Sequence, residues 1–302
     1  MTEVAKLGDF WKKVSQFQPQ IQQLQLIALD LDHTTLNQTT RLSFNTKQVL
    51  EQAADAGLEL VITTGRSRHS LPPELAELAG LHYAVLSNGS SIYDFTHEEY
   101  LRRLTIPVSF VEPLLQCFHG SLDLQVFVHG QAYASEHYLT HTSDYFSADS
   151  GRLAHLARSR IVVSDVRQFA SDHQNELDML DFLIPKWLDR DTILQQLKQQ
   201  FPHLYITTSM PHLIEVAHPD CGKWPALQWL AHQLQIPATH IAAFGDAEND
   251  LDMISHSGLG CAVANAVPSV LRAADLIVPA HDRDGVASGI QAFLQLRRSG
   301  TN

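Results

Sequence analysis

Cysteine is scarce: Cys117, Cys221 and Cys261 are the three in 302 residues, far apart and without a CxxC spacing. A disulfide framework and a cysteine-based zinc site are thereby excluded, and buried thiols are expected. Long apolar runs are missing too, since none approaches the roughly 18 residues that a membrane-spanning helix needs. Basic residues are outnumbered 21 to 33 by acids, and a net charge of -12 repels nucleic acid and anionic membrane over long range. The stretch "MTEVAKLGDFWKKVSQFQPQIQQLQ" lacks the basic start, apolar centre and small-residue cleavage site of a secretory signal, so a cytoplasmic location is expected. No low-complexity tract or internal repeat is present. What remains is an ordinary folded composition, 44% hydrophobic and 18% charged. A small-molecule partner is expected, with no nucleic acid and no membrane, for a monomer or homodimer.

The length suits two domains and a large core. Residues 1–23 carry Val4, Leu7, Trp11, Val14 and Phe17 at three- and four-residue intervals, which predicts one amphipathic helix appended to the body. From residue 24 strands and helices alternate: "LQLIALDL", "NTKQVLEQAADAG", "LELVITTG", a helix near 68–79, then "HYAVLSNG". The rhythm returns after 212 with "KWPALQWLAHQL", "HIAAFGD", "GLGCAV", "ADLIVP" and a final helix from about 286. Short apolar strands joined through helices are the signature of a parallel sheet covered on both faces. The expected fold is thus α/β, a doubly wound core over 24–90 and 212–302. Residues 91–211, which mix a hairpin-like pair, strands and helices, form the expected inserted α+β cap over the sheet's carboxyl edge.

Four polar groups follow predicted strands or open a predicted helix. Asp30 and Asp32 end the first strand, Thr63, Thr64, Gly65 and Arg66 follow the second, Lys223 opens a helix, and "GDAENDLD" supplies Asp246, Asn249 and Asp250. In one parallel sheet all four would converge on one edge. Residues two apart on an extended segment point the same way, so Asp30 and Asp32 can share a pocket that Asp246 completes as a hard-oxygen cage suited to Mg²⁺. Thr64, Lys223 and helix-start amides add the donors of a phosphate site.

"DLDHTTL", "TTGR", Lys223 and "GDAENDLDMI", in this order, resemble the four motifs of the haloacid dehalogenase (HAD) superfamily. "SNGS" at 87–90, the insert after it and the "CAVANAVPSVLRAADLIV…DGVASGI" tail resemble the Cof-type branch, subclass IIB, of HAD phosphatases. The resemblance spans about residues 24–298 and implies a Mg²⁺-dependent phosphatase of small phosphorylated metabolites, such as sugar phosphates, working through an aspartyl phosphate. It implies Asp30 as nucleophile and Asp32 as general acid and base. Mg²⁺ would sit between the Asp30 and Asp246 carboxylates and the Asp32 backbone carbonyl. Thr64, Gly65 and Lys223 would bind the phosphate, Asn249 the phosphoryl group or its water, and Asp250 would orient Lys223 or a metal water. The sequence departs from the family pattern at His33, where glycine is usual, at Trp224-Pro225 in place of glycine after the lysine, and at Thr35 in place of an apolar residue.

Three other readings use the same residues: a phosphotransferase or mutase on this scaffold, a receiver-like phospho-acceptor switch, and a catalytically silent sensor of phosphorylated metabolites. A second acid at Asp32 and the large insert argue against the switch, which needs a long-lived acyl phosphate. Arg66, Arg68 and His69 fit a solvated loop as well as a substrate contact. Asp178 and Asp181 in the insert fit strand solubility as well as a pocket lining.

Overall fold

The computed structural model describes residues 10–147 and 156–299. Among the described residues the strands are β1 (Leu26–Leu29), β2 (Glu59–Thr63), β3 (Leu81–Leu86), β4 (Ser91–Asp94), β5 (Glu99–Arg103), β6 (Asp123–Val128), β7 (Gln131–Ala134), β8 (Arg160–Val162), β9 (Leu177–Leu183), β10 (Tyr205–Thr207), β11 (Leu213–Ala217), β12 (Ile241–Gly245), β13 (Leu259–Val263) and β14 (Leu276–Val278). They form an eight-stranded sheet in the order β14-β13-β12-β1-β2-β3-β4-β5 and a six-stranded sheet in the order β10-β11-β9-β6-β7-β8.

In the larger sheet the six strands from β14 to β3 run parallel, and β4 and β5 extend it antiparallel. Every residue of β1, β12 and β13 is buried, as expected of strands covered on both faces. The covering helices include Phe44–Asp55, whose start is capped by Ser43 accepting from the Thr46 N–H, and Gly285–Ser299, which buries Ile290 and Phe293. The second sheet is antiparallel except where β7 meets β8, and its own apolar core includes Leu124, Leu180, Phe182, Ile214 and Val216.

Four expectations are corrected. The pair expected at the start of the insert, "SIYDF" and "EEYLRRL", belongs to the large sheet as β4 and β5. Residues 213–217, expected in the core from 212, pair with β9 and β10 in the small sheet. The two-residue period of a strand carries no information about which sheet it joins, so the boundaries at 91 and 212 were not readable from periodicity. The helix expected near 68–79 is two short 3₁₀ turns, Arg68–Ser70 and Pro73–Leu75, because Pro72 and Pro73 withhold N–H donors and clash with a continuing helix. The single N-terminal helix is interrupted: residues 10–15 are helical, the chain turns at 16–17, and Gln18–Gln23 forms a second helix with Pro19 in its first turn. The expected positions Val4 and Leu7 lie outside the described residues. Val14 and Ile21 are buried in the main core, and Arg297 donates through Nη1 to the Leu24 carbonyl at 2.6 Å.

Candidate active site

Strand β1 lies between β2 and β12, where the strand order reverses, and open parallel sheets bind ligands at the carboxyl ends beside such a point. Leu29 is level with Ile62 on one side and Phe244 on the other, so the segments after β1, β2 and β12 emerge together. Asp30, Thr64 and Asp246 are thus brought to one rim from positions more than two hundred residues apart.

Asp30 is buried, and its Oδ1 accepts from Lys223 Nζ at 2.6 Å. The same ammonium donates to Asp250 Oδ1 at 2.6 Å, and Asp250 Oδ2 accepts from the backbone N–H groups of Asp246 and Ala247, each at 3.0 Å. Asp250 thereby holds both the lysine and the loop that carries Asp246. Asp246 Oδ1 accepts from Thr34 Oγ1 at 3.0 Å. Burial opposes a charge on Lys223, but the carboxylates of Asp250 and Asp30 outweigh it and hold the ammonium's pKa above its ordinary value. Lys223 keeps its place despite the residues after it, because Pro225 falls in the first turn of helix Lys223–Gln233, where no backbone donor is needed.

One carboxylate oxygen from each of Asp30, Asp246 and Asp250 lies within 4.8 Å of the others. Burial, then the charge of Asp250, pushes Asp30 up to about 7; burial, then Asp30, pushes Asp246 up to about 9. These acids lack sufficient positive charge, and an all-oxygen donor set fits a hard divalent cation such as Mg²⁺. Asp250 has both oxygens engaged, so Asp30 and Asp246 are the carboxylates with an oxygen left to offer.

Asp32 is placed differently from the expectation. β1 ends at Leu29, and residues 31–35 form a wide turn in which His33 has φ 59°. The two acids therefore do not alternate along an extended strand. The Asp32 carboxylate is gripped by Arg66, Nε to Oδ2 at 2.7 Å and Nη2 to Oδ1 at 2.6 Å, while Arg66 Nη1 donates to the Ser70 carbonyl at 3.0 Å. His33 is exposed and its ring meets His281 edge-on, with centroids 5.4 Å apart.

Thr64 Oγ1 accepts from the Arg66 backbone N–H at 3.1 Å, which leaves its own hydroxyl hydrogen to donate into the cleft. Gly65 has a steric reason to be glycine: a Cβ there would lie 2.9 Å from Glu215 Oε1 and 3.3 Å from Asn88 Oδ1. Asn249 Nδ2 donates one hydrogen to Asn88 Oδ1 at 2.9 Å, and Asn249 Oδ1 is a buried acceptor without a hydrogen-bond partner among the described residues.

Asp30, Asp32, Thr64, Gly65, Asp246 and Asn249 line a cavity of about 130 Å³, with Gln125, Tyr138, Arg160, Asp181, His212 and Glu215 contributed from the small sheet and its neighbouring segments, while Lys223 and Asp250 stand behind Asp30. Arg66, which the sequence left open between a solvated loop and a substrate contact, is a buried clamp on Asp32, and Asp181 lines the cavity while Asp178 is spent on Arg103 and the Gly130 N–H. Asn88 and Glu215 were missed as site residues. A lone acid within the apolar run "LIEVA" was the available signal for Glu215.

The profile of one family, the haloacid dehalogenase-like hydrolases, matches residues 27–290. The chain is 27% identical to the putative phosphatase YxeH of Bacillus subtilis over 281 residues, covering 89% of this chain and 98% of that one. It is 28% identical to the 5-amino-6-(5-phospho-D-ribitylamino)uracil phosphatase YcsE of the same organism over 274 residues, covering 90% and 96%. A solved haloacid dehalogenase-like hydrolase of B. subtilis shares the fold with a TM-score of 0.77 at 23% identity, over 89% of this chain and 99% of the other.

Proposed function

The chain belongs to the haloacid dehalogenase-like hydrolases, and from that premise we propose that it hydrolyses a sugar phosphate or similar phosphomonoester with Mg²⁺, through an aspartyl phosphate on Asp30. At the coarser level it is a HAD phosphatase of the Cof type, a phosphomonoester hydrolase of small phosphorylated metabolites.

In the first step an Asp30 oxygen bonds to phosphorus as the bond to the leaving-group oxygen breaks, and Asp32 gives that oxygen its proton. Water then attacks the same phosphorus, Asp32 takes its proton, and the Asp30–phosphorus bond breaks to release phosphate. Arg66 orients Asp32 for both transfers. Lys223 and the Thr64 hydroxyl hold the equatorial phosphoryl oxygens, and Gly65 lets the chain approach closely. The Asn249 acceptor faces a water, and Asp250 fixes Lys223. Asp30, Asp246 and the Asp32 backbone carbonyl would hold Mg²⁺, which supplies charge neutralisation between nucleophile and phosphate. Such preorganised electrostatics carries most phosphoryl-transfer catalysis.

The observation that carries this reading is the meeting of Asp30, Lys223 and Asp246 at one strand edge. The test is phosphate release from p-nitrophenyl phosphate with Mg²⁺, with EDTA, and by Asp30→Asn and Asp246→Ala. Turnover that requires Mg²⁺, falls by ~10³-fold or more in Asp30→Asn, and needs raised Mg²⁺ in Asp246→Ala supports the assignment. Near-normal turnover by Asp30→Asn overturns it.

A further inference from the structure

The turn Ser87–Gly89, between β3 and β4, holds a residue that the mechanism above does not use. Asn88 is fully buried and is not among the residues that line the cavity. Its φ of 52° is uncommon for a residue other than glycine and persists where the surroundings hold it. Its backbone N–H donates to the Thr64 carbonyl at 3.0 Å, and its carbonyl accepts from the N–H of Gly222, next to Lys223, at 2.8 Å. Both ends of its side-chain amide are engaged as well. Nδ2 donates to Glu215 Oε1 at 2.9 Å and, more weakly, to Met179 Sδ at 3.6 Å, both on the small sheet, while Oδ1 accepts from Asn249 Nδ2 at 2.9 Å. One side chain thus links strands β9 and β11 to the loop after β12.

The polarity of this chain is set from one end. A carboxylate only accepts, so Glu215 takes the Asn88 nitrogen; the Asn88 oxygen is left for Asn249, which meets it with its own nitrogen. Without Glu215 both amides could turn over together and still pair, and Asn249 would then show Nδ2 where it now shows Oδ1. In the structure Asn249 Oδ1 is buried without a partner among the described residues, and Asn249 lines the cavity. A buried unpaired oxygen at a cavity wall marks an atom that a ligand completes. We propose that Asn88 is a positioning residue for phosphoryl transfer, which carries the fixed polarity of Glu215 to Asn249 and so sets which end of the Asn249 amide faces the reacting group. This rests on the phosphatase reading above. It gives the small sheet a part in the chemistry besides covering the cleft, because the aim of a group beyond β12 depends on an acid of β11.

The test is a double-mutant cycle on the hydrolysis of p-nitrophenyl phosphate, with Asn88→Gly, Asn249→Ala and the two combined. Glycine takes a φ of 52° without strain and keeps both backbone hydrogen bonds, so Asn88→Gly removes the amide alone. In the wild-type background kcat is expected to fall about ten-fold or more, with KM within about three-fold. In the Asn249→Ala background the same change is expected to alter kcat by less than about two-fold, because its effect passes through Asn249. A residue needed only for folding would cost the same factor in both backgrounds. Glu215→Ala, which leaves Asn88 in place, is expected to behave as Asn88→Gly does, and it decides by the same criteria if Asn88→Gly does not fold. A kcat within about two-fold of wild type, a loss carried by KM alone, or an equal fall in both backgrounds overturns the inference, while wild-type turnover leaves the phosphatase reading standing. Absence of phosphate release by the wild type overturns both.

Discussion

Arg66 holds Asp32 through two parallel hydrogen bonds, 2.7 Å from Nε to Oδ2 and 2.6 Å from Nη2 to Oδ1. The fork comes from the loop after β2 and the acid from the turn after β1, so the pair ties two neighbouring strand ends together. A planar guanidinium fixes both oxygens of a carboxylate, which a point-charge ammonium does not. Arg66→Lys is therefore expected to lower kcat about ten-fold or more while changing KM for p-nitrophenyl phosphate little, because the proton carrier is misaimed and the phosphate contacts stay. Steady-state kinetics checks this, and an unchanged kcat would show that the clamp does not position Asp32.

Stability of the metal-free protein should fall as pH rises. Asp30 and Asp246 titrate at about 7 and about 9 in the folded protein, against values near 4 when unfolded. Between those limits the folded state holds protons that the unfolded state has released, so the slope of stability with pH is negative. Mg²⁺ competes with those protons and should stabilise more at pH 8 than at pH 5, by on the order of 5 °C in Tm. Thermal melts in EDTA and in Mg²⁺ at the two pH values decide it. An equal Mg²⁺ shift at both would refute the linkage.

His33 occupies a left-handed backbone position, φ 59°, where a side chain costs roughly 1–2 kcal/mol that glycine avoids. Part of that gain is lost to the greater freedom of glycine in the unfolded chain. His33→Gly is expected to raise stability by up to about 1 kcal/mol, read as a higher denaturation midpoint at an unchanged m-value. A lower midpoint would mean that the ring's contact with His281 outweighs the backbone term.

Gly65→Ala puts a methyl group against Glu215 Oε1 and Asn88 Oδ1, both of which belong to the hydrogen-bonded chain from β11 to Asn249. The expected result is a loss of kcat/KM of about ten-fold or more with small change in Tm, because a 1 Å misplacement at a reacting centre matters more to rate than to stability. Kinetics and melts on the same preparation separate the two effects.

Much of the site was legible because its residues follow apolar strands: Asp30, Thr64 and Asp246 are each marked by a run that must be buried and a polar group that ends it. Lys223 was readable from its place before a helix, despite the unusual Trp224-Pro225. Arg66 was not, since one basic residue after a strand looks the same whether it faces water or a carboxylate. Asp181 and Glu215 were obscured for a related reason: an acid in a strand signals nothing about its face until pairing partners are known. The β4–β5 pair was misplaced because its alternation suits either sheet.

Local order along the chain determined the elements, the parallel core and the acids and donors that stand at its edge, because burial periodicity and strand-end chemistry are properties of neighbouring residues. Only the tertiary structure decided that Asp32 turns to Arg66, that Asp250 braces Lys223 and the Asp246 loop, and that a wall of carboxyl groups faces them. Those relationships join residues far apart in sequence, through hydrogen bonds whose angles and distances no spacing along the chain encodes.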